Sequence, residues 1–289
     1  MDSGGVTQGF TRTLGMDATA DLHIHSTASD GTLSPTRIVE IAEELGLSVI
    51  SLTDHDSIDG IEEALRAARG RRVTVIPGVE LSCVREGRDI HMLGYFINWR
   101  NERFRAYLGE LQRMRLERIR AMIGRLSERG LELALEDVLN ETGHRTTSIG
   151  RPHIARAMVR KGLLHSVEDA FARYLGRGAP CFVEKYEHDP VEVIGVIREA
   201  GGVAVLAHPG LGISDGLIEE LAGAGLSGIE VYHSDHAPEV VRRLLRLARK
   251  LGLVVTGGSD CHGVGSEKGL RIGSVVVEAC ALFAYAPDR

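Results

Sequence analysis

The segment Ala20-Asp-Leu-His-Ile-His25-Ser-Thr-Ala-Ser-Asp30, with Ser34-Pro35 and then Ser48-Val-Ile-Ser-Leu-Thr-Asp-His-Asp56 downstream, decides the fold. Ala20–His25 is a short apolar run that reads as a strand. Ser34 is placed to cap a helix whose first position is Pro35 and whose end, after Leu45, is closed by Gly46. Ser48–Leu52 reads as the next strand. The unit recurs in a helix over Ser57–Arg69 and strands over Val73–Leu81 and Ile90–Phe96. Later strands are expected over Val203–Leu206, Gly228–Tyr232, Leu253–Thr256 and, at the end, Ile272–Val277. Helices over Pro190–Ala200, Asp215–Ala224 and Pro238–Leu251 separate them. Short apolar strands alternating with helices predict an α/β fold with a parallel, helix-covered sheet that has enough units to close into a barrel.

Residues 100–180 break this rhythm. Asn101–Arg129 reads as a long Arg-rich amphipathic helix ending at Gly130, followed by helices over Leu135–Thr142, Pro152–Lys161 and Val167–Leu175, with no strand. The expected organisation is a barrel from 20–99 and 181–277, a helical cap inserted over 100–180, a flexible extension over 1–19 and a tail over 278–289. The arginines Arg113, Arg115, Arg118 and Arg120 read as a solvated helix face.

The 289 residues are 43% apolar and 26% charged, with a net charge of −6. That charge argues against binding duplex nucleic acid, and no run near 20 apolar residues is present, so no membrane contact is expected. The polar first 19 residues do not read as a secretion signal. Four cysteines without paired spacing (Cys83, Cys181, Cys261, Cys280) suit a reducing cytoplasm and argue against a thiolate metal site. Cys261, between Asp260 and His262, reads as a packing residue.

Histidines and carboxylates collect at strand ends. His23 and His25 are two apart, which in an extended strand puts both imidazoles on one face. Asp30 follows them, and Asp54 and His55 follow the second strand. Glu80 is embedded in the third strand and His91 opens the fourth. His208, His233, and Asp260 with His262 follow three later strands. An ionised carboxylate such as Glu80 in an apolar strand is costly unless it is paired or binds a cation. Imidazoles and carboxylates without thiolate suit Mn²⁺, Zn²⁺ or Fe²⁺, and the ligand number gives room for two or three ions. Such ions bind phosphate oxygens and activate water, so hydrolysis of a phosphate ester by a metal-bound hydroxide is the expected chemistry.

His-Ile-His-Ser (23–26), Thr-Asp-His-Asp (53–56), Gly-Val-Glu-Leu-Ser (78–82), His91, Ala-His-Pro (207–209) and Ser-Asp-Cys-His (259–262) together resemble the polymerase and histidinol phosphatase (PHP) superfamily. The resemblance implies a distorted (βα)₇ barrel and a trinuclear metal centre. One ion would take His23, His25, Glu80 and Asp260, a second Asp30, His55 and His262, and a third Glu80, His91 and His208. It implies catalytic roles for Glu80, Asp260 and His208, and His233 would orient substrate or protonate the leaving oxygen. Asp at position 30 and Gly-Arg-Pro-His-Ile-Ala-Arg (150–156) resemble the branch acting on 3′,5′-nucleoside bisphosphates and short 5′-phosphorylated single-stranded RNA. By that resemblance Arg151 binds a substrate phosphate, with His153, Lys185 and Asp54 as further contacts. The rival readings are a small-molecule phosphatase, such as one for histidinol phosphate, and a metal-stabilised binding module without turnover.

Overall fold

The computed structural model describes residues 18–142, 146, 148–185, 188–264, 269–278 and 280–283. Most of the expected N-terminal extension and C-terminal tail lies outside the described residues. Strands β1 (Thr19–Ile24), β2 (Val49–Leu52), β3 (Thr74–Arg85) and β4 (Arg88–Tyr95) come first, with helices α1 (Pro35–Glu44) and α2 (Ile61–Ala67) between them. Ser34 caps α1, its side chain accepting from the Arg37 amide. The helices α3 (Glu102–Ser127), α4 (Leu135–Glu141), α5 (Arg151–Arg160) and α6 (Val167–Ala170) follow, α6 running into a π-helical turn over Phe171–Leu175. The remaining elements are α7 (Pro190–Glu199), β5 (Val203–Leu206), α8 (Asp215–Gly223), β6 (Gly228–His233), α9 (Pro238–Leu251), β7 (Val254–Gly258), β8 (Val277–Glu278) and α10 (Cys280–Phe283). No helix among the described residues is long and apolar enough to cross a membrane.

The strands form one sheet in the order β7-β6-β5-β4-β3-β2-β1-β8, which curls into a nearly closed barrel. Its two ends meet where Ile24 bridges Cys261 and where the Asp21 carboxylate accepts from the Ser259 amide at 2.9 Å. Leu22, Val49, Ile76, Leu93, Tyr95, Val205 and Val254 fill the interior. The main core lies between the sheet and its helices, while Ile119, Met122, Leu126, Val138, Ile154 and Met158 form a separate cluster within the inserted helices.

The sheet is mixed, not parallel throughout. β3 and β4 form an antiparallel hairpin, with Arg85 opposite Arg88 and β4 also antiparallel to β5. The connection is Glu86-Gly87, both with positive φ (52° and 68°), the conformation that a tight two-residue hairpin requires. Because β4 runs backwards, its beginning lies at the end of the barrel where the parallel strands finish. The last strand is shorter and later than expected: residues 272–273 turn, Gly273 at φ 75°, and only Val277–Glu278 pairs, antiparallel to β1.

Closure leaves no room at Gly258, where a Cβ would lie 2.4 Å from both the backbone N and the Cβ of His23. Gly258→Ala therefore lowers folding stability by about 1–3 kcal/mol, the usual cost of overpacking. Urea denaturation reads this directly, and an unchanged midpoint would contradict a closed barrel at β1 and β7.

Candidate metal centre

His23, near the end of β1, and His25, just past it, stand side by side, both buried. Gly31 allows the following loop to fold back, since a Cβ there would lie 2.4 Å from the His25 carbonyl oxygen. β3 brings Glu80 beneath them, 1% exposed, and its two oxygens meet five imidazoles. Oε2 lies 3.4, 3.3 and 2.9 Å from nitrogens of His23, His25 and His55. Oε1 lies 2.8 Å from His91 Nδ1 and 3.2 Å from His208 Nε2. The reversed direction of β4 is what brings His91, near the start of its strand, to this end of the barrel. From the loop after β7, Asp260 Oδ1 reaches His25 Nε2 at 3.1 Å and His23 Nε2 at 3.5 Å. Asp30 Oδ1 lies 3.4 Å from His262 Nε2 and 3.8 Å from His25 Nδ1.

Among the described residues, three sets of side chains converge tightly enough to hold a cation: His25, Asp30, His55 and His262; His23, His25 and Asp260; and His55, Glu80 and His91. His25 and His55 each belong to two sets, and His208 lies outside all three, with its Nε2 on Glu80 Oε1. The donor chemistry fits divalent ions. Among the described residues, His23 Nε2, both nitrogens of His25, His55 Nδ1, His91 Nδ1, Asp30 Oδ1 and Glu80 Oε2 are buried and face one another at close range without the alignment of a hydrogen bond. Buried polar atoms are rarely left so, and here they point to one place. Burial opposes ionisation of Glu80, yet His55, His91 and His23 hold its carboxyl well below the usual range. Cys261 turns away, its sulfur accepting from the Gly263 and Arg271 amides.

Two carboxylates that the sequence reading passed over hold this arrangement. Glu230, fully buried on β6, accepts from His23 Nδ1 at 3.0 Å and from the His208 amide at 2.8 Å. The bond to Nδ1 leaves His23 Nε2 facing the cluster. Asp21 ties β1 to the Ser259 and Gly273 amides. The cost of burying Glu80 in an apolar strand applies equally to Gly-Ile-Glu-Val at 228–231, so the signal for Glu230 was present. His233 accepts from the Asp235 amide at Nδ1, which places the proton of a neutral ring on Nε2, 3.4 Å from Asp260 Oδ2.

The expected substrate contacts separate. Lys185 Nζ lies 3.2 Å from His91 Nε2 and 3.5 Å from Asp89 Oδ1, at the edge of the cluster. Arg151 opens α5, donates to the Leu175 carbonyl and stacks on Phe171 and Phe182. Asp54 is a correction. It is 2% exposed and both its oxygens are taken by the Ser26 amide, the Ser26 hydroxyl and the Ser29 hydroxyl, at 2.6–2.7 Å. His153 is another, since it too is buried, with Nδ1 bonded to the Gly150 amide and Nε2 to the Ser29 carbonyl. Neither has a free atom for substrate.

The arginines of α3 do not form one solvated face. Arg113 and Arg120 are exposed, but Arg115 pairs with Asp56 and donates to the Ser82 hydroxyl, while Arg118 is buried and donates to the Val183 carbonyl. Burial, with Arg151 nearby, brings the Arg118 guanidinium down to about 10. Asp56, Ser82, Arg115, Arg118, Lys185 and His188 line a cavity of about 40 Å³ beside the cluster.

The PHP domain family matches residues 21–176. A 5′-3′ exoribonuclease of Haemophilus influenzae is 35% identical, the match covering 84% of this chain and 89% of the relative. The chain belongs to the PHP family. A 3′,5′-nucleoside bisphosphate phosphatase of Chromobacterium violaceum is 33% identical over 89% of this chain and 91% of its own length. The solved structure of a candidate metal-dependent phosphoesterase from Bifidobacterium adolescentis superposes with a TM-score of 0.85 at 35% identity, covering 92% of this chain and 94% of that one.

Burial, with Arg156 adding to it, pushes His153 down to about 4 from an ordinary 6.5. The unfolded chain takes up this proton first as pH falls, so stability drops between pH 6.5 and 4, by on the order of 3 kcal/mol from this residue. His153→Gln, which has no proton to gain, shows a correspondingly shallower fall in unfolding free energy over that interval. Equal slopes for the two proteins would refute the assignment.

Proposed function

We propose that this protein is a metal-dependent phosphoesterase that hydrolyses 3′,5′-nucleoside bisphosphates and short 5′-phosphorylated single-stranded RNA. One observation carries the reading: a buried Glu80 met by five imidazoles, with orphaned ligand atoms around it and Lys185 at its edge. The similarity to an exoribonuclease and a bisphosphate phosphatase supports nucleotides as the substrate class.

We assign three ions, Mn²⁺ foremost with Zn²⁺ or Fe²⁺ as substitutes. His23, His25, Glu80 and Asp260 hold the first, Asp30, His55 and His262 the second, and Glu80, His91 and His208 the third. When bound, such ions neutralise phosphoryl oxygens and activate water near neutral pH. The protein's own residues do the rest. Lys185 and Arg151 receive substrate phosphate, the guanidinium offering a bidentate fork and Lys185 a point charge. His233 holds a proton on Nε2 for the leaving oxygen. Glu230 keeps the Nε2 lone pair of His23 directed at the ions. The unpaired Cys83, Cys181 and Cys261 suit a cytoplasmic setting.

Glu80→Ala removes ion binding and lowers turnover by about 10³-fold or more. Side-by-side assays with a 3′,5′-bisphosphate nucleotide, 5′-phosphorylated RNA and histidinol phosphate, each with Mn²⁺, give the highest kcat/KM for the nucleotides. Preference for histidinol phosphate would move the assignment to small-molecule phosphatases, and no phosphate release from any of them would make this a binding module. Glu230→Gln, which puts an amide N–H against His23 or the His208 amide, weakens Mn²⁺ binding about 10–100-fold by calorimetric titration.

A further inference from the structure

The inserted helices grip the loop that carries Asp30 through three successive carbonyls. Thr146 Oγ1 donates to Ala28 O at 2.6 Å, His153 Nε2 to Ser29 O at 3.1 Å and Arg156 Nη1 to Asp30 O at 3.2 Å. The direction of the middle bond is fixed. His153 Nδ1 accepts from the Gly150 amide, so the neutral ring carries its proton on Nε2. Arg156 is braced in turn by Glu141 of α4, 3.8 Å away. From the barrel side, Asp54 holds the same loop by Ser26 and Ser29. Within the loop, the Ser29 and Gly31 amides both donate to the Ser26 carbonyl.

Backbone carbonyls at 28, 29 and 30 that lost these donors would turn toward water, and the loop would gain conformations. Asp30 would then leave its place beside His25 and His262, where its Oδ1 is one of the orphaned buried atoms. A ligand that must be ordered on binding gives a weaker site than one already in place.

We infer that Thr146, His153 and Arg156 are positioning residues for the metal centre: the seated cap presets Asp30, and the ion held with His55 and His262 binds tightly only when these three donors are engaged. The inference rests on the proposed ligand role of Asp30. It gives the cap a second task besides receiving substrate, and it links cap seating to ion occupancy.

The test uses the full chain stripped of metal, with Mn²⁺ alone as the probe. Equilibrium dialysis with elemental analysis measures ion number and affinity, and hydrogen exchange follows the amides of residues 27–31 in the metal-free protein. His153→Phe keeps a ring but no donor, Arg156→Met removes the outer donor at a partly exposed position, and His153→Gln restores a neutral donor. The first two bind one ion about 10–100-fold more weakly, keep the others, and exchange faster at 27–31. His153→Gln recovers most of both. With saturating Mn²⁺, kcat of His153→Phe returns toward wild type while its activation constant for Mn²⁺ stays raised. Should His153→Phe fail to fold by circular dichroism, Arg156→Met decides alone. Unchanged affinity and exchange in the donor variants, with an ion lost in Asp30→Ala, would overturn the inference and leave the metal reading standing. A full complement of ions in Asp30→Ala would overturn the metal reading itself.

Discussion

A carboxylate buried in the wall of a barrel must be compensated, and the rest of this structure follows from how Glu80 is. An isolated ionised group at 1% exposure would be strongly destabilising. Here five imidazoles, contributed by β1, by β4 and by the loops after β2 and β5, converge on its two oxygens. Bringing them so close requires the barrel to shut, and closure depends on Asp21 bonding across from β1 to Ser259 and on Gly258 yielding space to His23. Fold and site are therefore one constraint. The same bonds that join the two ends of the sheet align the imidazoles.

Charge is divided across the site. The barrel end collects imidazoles and carboxylates whose ligand atoms face one another, an environment that favours cations. The inserted helices and the chain returning from them supply cations of their own. Arg115 is spent on Asp56, immediately after His55, while Arg118, Arg151 and Lys185 stand over Phe182 and around Asp89. On the proposed reading, a polyanionic ester would lie between these surfaces, its reacting phosphate toward the imidazoles and the rest toward the guanidinium groups. The left-handed backbone at Asp56, His208 and Asp260 (φ 46°, 29° and 50°) shows how far the chain is bent to aim these ends inward.

Much of this was legible in the chain. The β-α repeat, the Ser34-Pro35 helix start, the two-residue spacing of His23 and His25, and the expense of Glu80 in an apolar strand are local facts. The hairpin at Glu86-Gly87 is not evident from the strand pattern, because a short apolar strand looks the same whether it runs parallel or antiparallel to its neighbour. Two consecutive positive-φ residues between Arg85 and Arg88 are what a reversal needs, and that reversal gives His91 its place. Glu230 carries the same signal as Glu80, a carboxylate inside an apolar strand. Helical spacing says which residues share a side, not what covers it, so it does not distinguish the covered Arg115 and Arg118 from the exposed Arg113 and Arg120.

By itself, then, the sequence determined the chemistry on offer and roughly where along the chain it stands: imidazoles and carboxylates at strand ends, arginines on inserted helices, no thiolate pair. These depend on residue type and on periods of two or 3.6 residues, which act over a few positions. Only the tertiary structure decided which of those groups are free to bind anything. Asp54 and His153 had the right chemistry for substrate, but one is consumed by Ser26 and Ser29 and the other by Gly150 and by Ser29, 124 residues away in the chain. A hydrogen-bond partner that distant is set by how the inserted helices pack onto the barrel. No local pattern encodes that packing, because it depends on the complementarity of whole surfaces.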